Sequence, residues 1–149
     1  GVNFEKSGAT KSLASFSKKF QCGDIILTAW SDLAEIIDEH TSRYGYKAYK
    51  VAYISKPPLP EFPEDWIEAH MVMSRLMTKD MVRGFYEKSA KSVANEKEVM
   101  DIMQEVLKLP DEELLKYAKK FFLELHNKDI LIPMLLKTGF LKHREKPKL

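Results

Sequence analysis

The chain has 149 residues, 44% of them hydrophobic and 31% charged, which is the balance of a folded domain and excludes an intrinsically disordered one. That length suits a single domain able to bury roughly 68–70% of its unfolded surface, and no apolar run approaches the roughly 18–20 residues that cross a bilayer. The formal net charge of +2 is unevenly laid out, at +3 over residues 1–20, −4 over 21–44 and +3 over 129–149, which excludes a uniformly cationic surface.

In chain order, residues 1–10 read as a flexible basic N-terminus without a signal-peptide core. Lys11 to Phe20 fits a short helix with Leu13, Phe16 and Phe20 on one side, broken at Cys22-Gly23. Asp24 then serves as the N-cap of a long helix, because Ile25, Ile26, Ala29, Trp30, Leu33, Ile36 and Ile37 recur at spacings of three and four. Asp32, Glu35, Asp38 and Glu39 fill its other face, and Gly45 falls where a left-handed C′ residue belongs. Residues 46–54 fit a short strand or a helix, since their tyrosines and valine favour a strand while Tyr46, Tyr49 and Tyr53 share a helical side.

Residues 55–64 carry four prolines and are expected as an extended connection between two halves. A helix is predicted from Asp65 to Met77 along Trp66, Ile67, His70, Met73 and Met77, and another from residues 78–79 to Val93. Asn95 and Glu98 form a capping-box pattern ahead of Val99, Ile102, Met103 and Val106. Pro110 opens a further helix, with Asp111, Glu112 and Glu113 at the positive end of its dipole. Asp129 starts a short helix containing Pro133 and stopped by Gly139, and residues 142–149 form a flexible basic tail. The sum is an all-α fold: a compact bundle of about six to seven helices forming one helical domain over residues 11–141, with a Pro-rich connection at 55–64.

Chemistry is sparse. The best patch for nucleic acid is Arg43, Tyr46, Lys47, Tyr49 and Lys50, where aromatic faces could stack on bases and interleaved cations follow phosphates. The acidic residues Asp32, Glu35 and Glu39, with the thioether-rich Met71, Met73, Met77 and Met81, are the best candidates for contact with a protein partner. Each set has a plainer use, as half-buried tyrosines or as core filling. His40, His70, His126 and His143 show no metal-ligand spacing, so no metal or cofactor is expected, and no nucleophile with a base at a telling interval marks an enzyme. Cys22 is the only cysteine, which excludes an internal disulfide and suits a reducing intracellular compartment, cytoplasmic or nuclear. The sequence therefore reads as a non-catalytic helical module that binds another macromolecule, a protein first and a nucleic acid as the alternative.

Overall fold

Ile25–Thr28 is a strand, β1, and not the opening turn of a helix. All four of its residues are buried, because the strand lies between two cores. The computed structural model describes residues 19–139, so the short helix expected over residues 11–20 and both basic ends fall outside the described residues, Lys19 and Phe20 excepted. β1 turns back into β2 (Leu33–Thr41), which pairs with β3 (Lys47–Tyr53), which pairs with β4 (Glu64–Glu68). One turn of 3-10 helix, Ala69–Met71, leads to β5 (Val72–Met77), which pairs with β1. The sheet is antiparallel throughout, in the order β4-β3-β2-β1-β5.

That order bends the sheet. Its edge strands β4 and β5 would stand roughly 19 Å apart if flat, at about 4.8 Å per step. Only three residues join them, and a 3-10 turn rises about 2 Å per residue. The edges must approach each other at their joined ends, so the sheet curls into a small barrel that stays open between β4 and β5. Ala29 N–H donates to the Met71 carbonyl at 2.8 Å, tying the end of β1 to the joining turn. Inside the curl lie Phe20, Ile26, Ala34, Ile36, Tyr49, Val51, Ile67, Ala69 and Val72.

Four helices follow: α1 (Val82–Ser92), α2 (Lys97–Leu107), α3 (Asp111–Asn127) and α4 (Leu131–Lys137). Their buried residues Val82, Leu114, Leu115, Ala118, Phe122, Leu131 and Leu135 cover the outer face of the barrel at Ile25, Leu27, Leu33, Leu76 and Met77. Among the described residues the architecture is mixed α/β, a curled five-stranded sheet backed by four helices, and it overturns the all-α bundle of six to seven helices.

The long acidic helix expected from Asp24 is the hairpin β1–β2. Asp24 does cap, but it caps a turn: its carboxylate accepts from the Gln21 N–H at 2.9 Å while its own N–H donates to the Gln21 carbonyl at 3.0 Å. Gly45 is left-handed as expected (φ +84°), though in the β2–β3 hairpin. The ambiguous residues 46–54 supply strand β3, and the helix expected over 65–77 is β4, the 3-10 turn and β5. The proline segment links two adjacent strands instead of two halves, and Tyr53 N–H donates to the Pro63 carbonyl at 3.0 Å. In the helical half, Glu96 replaces Asn95 as the N-cap of α2, Pro110 stands at the N-cap of α3, and Ile130 replaces Asp129 at that of α4.

Candidate functional site

Two hairpins close through the same three-residue loop. In each, the first residue's N–H donates across to the fifth residue's carbonyl, and the fourth residue's N–H donates back to the first residue's carbonyl. Ser42 to Tyr46 (2.8 Å) and Gly45 to Ser42 (2.9 Å) make one; Thr28 to Asp32 (2.9 Å) and Ser31 to Thr28 (2.9 Å) make the other. Such loops end on a left-handed residue, for which glycine is the easy choice. Gly45 obliges in the second hairpin, while the first places Ser31 there at φ +68°. The Thr28 hydroxyl braces the strained turn, accepting from the N–H groups of Trp30 (3.3 Å) and Asp32 (3.1 Å).

This β1–β2 turn meets the turn between α3 and α4. His126 Nε2 lies 2.7 Å from the Ser31 carbonyl. A carbonyl can only accept, so that ring nitrogen carries the proton and is not a base toward the Ser31 hydroxyl. Asp129, one turn further, holds the only other positive φ (+57°) of a non-glycine among the described residues. Together Trp30, Ser31, Asp32, His126, Asp129, Leu131 and Ile132 line a half-open hollow of about 340 Å³. Burial raises the Asp32 carboxyl above its ordinary range, while neighbouring His126 and the Thr28 hydroxyl pull it back only in part. A histidine, a carboxylate and a serine in one hollow invite comparison with a catalytic triad. The Nε2 proton, held on the Ser31 carbonyl, keeps that nitrogen from taking a proton from the Ser31 hydroxyl as a triad histidine would.

A second feature is the outward side of α2. None of its eleven residues is buried; of its apolar stripe, Val106 packs against the outer core and Met103 is half-buried, while Val99 and Ile102 are exposed. Ile102 is 63% exposed. Glu98 and Glu105, four before and three after it, share its side of the helix and are exposed. The helix is held partly by Arg83 of α1, whose guanidinium donates to the carbonyls of Leu107 (2.8 Å) and Leu109 (2.6 Å) and to Asp111 Oδ1 (2.8 Å).

The residues nominated from sequence are scattered. Tyr49 is fully buried in the barrel, where its hydroxyl accepts from the Phe20 N–H at 3.1 Å and its ring meets Phe20 edge-on. Lys50 pairs with Glu64 at 3.5 Å, and Lys47 lies 3.9 Å from Glu39. Arg43 and Tyr46 are exposed at the β2–β3 turn. These five share a hairpin but not a face. Glu35 points to the helices and binds Lys119 of α3 at 2.8 Å, whereas Asp32 lines the hollow. Met77 is buried in the outer core, Met71 and Met73 are half-buried against the two cores, and Met81 is exposed at the start of α1. The four methionines are thus spread over the 3-10 turn, β5 and the start of α1.

A depression along α3, lined by Glu113, Lys116, Tyr117, Lys119 and Lys120, has the cation–aromatic composition sought at residues 43–50. Lys116 is spent on Glu113 (3.1 Å) and Lys119 on Glu35 (2.8 Å), so little charge is left for a phosphate. Among the described residues no three His, Cys, Asp or Glu side chains converge to hold a metal ion, and no helix is long and apolar enough to cross a membrane. Sequence reading missed His126, Asp129 and Trp30 as a group because 95 residues separate His126 from Ser31. The only local signal was a turn-length pair of residues between two apolar runs, Trp30-Ser31. Compared with models of known families, with curated proteins and with solved structures, the chain matches none of them.

Proposed function

We propose that this chain is a non-catalytic intracellular module that binds another protein, and that α2 receives a basic amphipathic helix from that partner. The observation that carries the reading is Ile102, a large aliphatic side chain left exposed on an amphipathic helix with no buried residue. Around it, Glu96, Glu98 and Asp101 are exposed beside Lys97, and Glu105 pairs with exposed Lys108 at 3.0 Å. An apolar stripe with an acidic border complements an apolar stripe with a basic one. Half-buried Met100 and Met103 add thioether surface that adapts to the shape of an incoming helix. The lone exposed thiol of Cys22 suits a reducing compartment.

Titrating isotope-labelled protein with a synthetic Lys/Leu amphipathic helix of about 18 residues, five turns, tests this. The α2 amides shift first, and Ile102→Asp weakens binding about 30-fold, as loss of a central anchor does, at unchanged melting temperature. Equal affinity for a Glu/Leu helix of the same pattern, or for Ile102→Asp, removes the reading. A polynucleotide that instead perturbs Arg43, Tyr44 and Tyr46, with a log–log salt slope of about −0.7 per phosphate, favours nucleic acid in its place.

A further inference from the structure

The hollow between the β1–β2 and α3–α4 turns stands apart from the α2 face, and different residues make it. From its lining we infer that it is a binding site for one organic cation, the ammonium or guanidinium of a lysine or arginine side chain on a peptide. Three observations converge. The first is size: about 340 Å³ lies at the small end of ligand sites, enough for one long side chain and too little for a nucleotide or a large cofactor.

The second is charge. Asp32 and Asp129 both line the hollow, and no lysine or arginine among the described residues does. Among the described residues the Asp32 carboxylate has one hydrogen-bond donor, the Thr28 hydroxyl at a long 3.5 Å, so much of its acceptor capacity is open. Asp129 has no ion-pair partner among the described residues. Both carboxylates keep acceptor capacity that is open to water, and the one donor that answers both charges is a cation.

The third is apolar surface in the right places. Trp30 stands 62% exposed at the rim, and Leu131 and Ile132 supply aliphatic wall. An indole attracts cations to its face more strongly than any other side chain, and an aliphatic wall suits the methylene stem behind a charged head. A phosphate or carboxylate ligand meets two like charges here. A neutral apolar ligand leaves both carboxylates without donors. Ser31 and Asp129, the two left-handed non-glycine residues among the described residues, both line the hollow, and the His126–Ser31 hydrogen bond ties its two turns together.

The chain has two tryptophans, Trp30 and Trp66, hence two indole N–H resonances in a nitrogen–proton correlation spectrum, assigned with Trp66→Phe. The full chain is titrated with the blocked amino acids N-acetyl-arginine and N-acetyl-lysine methylamide, and with their neutral counterparts made from citrulline and norleucine. The Trp30 indole resonance moves and saturates with the cationic pair, with a dissociation constant on the order of millimolar. It stays still with the neutral pair. Asp32→Asn and, separately, the exposed-site change Asp129→Asn each weaken the cationic ligands about tenfold, the scale of one charged hydrogen bond. Trp30→Ala abolishes saturable binding read from the Asp129 amide.

Equal movement with citrulline or norleucine overturns the inference in favour of a plain apolar hollow. Movement reproduced by potassium chloride at the same concentration overturns it as a bulk ionic effect. If a free polyamine binds as tightly as a peptide carrying one lysine, the peptide source is wrong. Because Ile102→Asp leaves the hollow untouched, failure of the α2 reading and failure of this one are separable.

Discussion

Ser31 does at the first hairpin what Gly45 does at the second. For an L-residue with a Cβ the left-handed region costs roughly 1–2 kcal/mol, and glycine avoids most of that. Ser31→Gly should therefore raise unfolding stability by about 1 kcal/mol in a urea titration. Gly45→Ala should lower it by about the same amount, since nothing within 4 Å of a Cβ there adds a clash to the backbone cost. No change at Ser31 would mean that the Thr28 hydroxyl braces already relieve the turn. Asp32 beside it carries a second local cost, this one dependent on pH. Burial raises its carboxyl above the ordinary 3.8. The folded chain therefore holds that proton more tightly than the unfolded chain, so stability is greatest below the unfolded value and falls as pH rises through the folded one. Asp32→Asn removes this loss. The variant and the parent should melt alike near pH 3, and the variant should melt higher at pH 7. A variant that melts lower at pH 7 shows that the attraction between Asp32 and His126 outweighs burial. Both local costs fall on residues that line the hollow.

Among the elements, α2 is the one least supported by burial. Its attachment leans on Arg83, which gathers the last carbonyl of α2, the Leu109 carbonyl and the first-turn Asp111 of α3 into one fork. Lysine keeps the charge but not the fork. Arg83→Lys should cost about 1–3 kcal/mol and speed amide hydrogen exchange in α2 while the buried amides around Leu114 to Phe122 of α3 keep their protection. Equal acceleration in both helices would show that they open as one unit. The same contrast explains what could be read from sequence. α1 to α4 announced themselves through apolar spacing on single faces and through Pro110 and the acids after it, because each helix has one wet side. The strands did not. β1 is buried on both faces, so Ile25, Ile26 and Leu27 form a run without alternation, which periodicity cannot tell from a helix. In β2 a register shift between Ile36 and Asp38 breaks the two-residue rhythm and leaves Leu33, Ile36 and Ile37 at helical spacing. The 3-10 turn at Ala69–Met71 likewise interrupts the two-residue rhythm between β4 and β5. Of the hollow, only Asp32 had been singled out, and for a helical surface that does not exist.

At the scale of the molecule, β1 decides whether barrel and helices behave as two parts or one. Ile26 points into the barrel core with Tyr49 and Val51, while Ile25 and Leu27 point to the helices with Leu114 and Phe122. One four-residue strand thus belongs to both cores, and neither can dissolve without uncovering its opposite side. Sites split between the halves depend on this. The hollow takes its walls from the β1–β2 turn and the α3–α4 turn, so any independent opening of the helical half would dismantle it. The coupling predicts a single unfolding transition. Tryptophan fluorescence, which reports Trp30 and Trp66 in the sheet half, and far-ultraviolet dichroism, which is dominated by the helices, should trace coincident curves in urea. Ile26→Ala and Leu27→Ala should each cost about 2–5 kcal/mol, as large-to-small changes in a packed core do. Both probes should shift by the same amount in either variant, although the two side chains lie in different cores. If Leu27→Ala moves the dichroism curve and leaves the fluorescence curve behind, the helices are a detachable layer on an independent barrel. A cation site built across that boundary could then form only when the layer is docked.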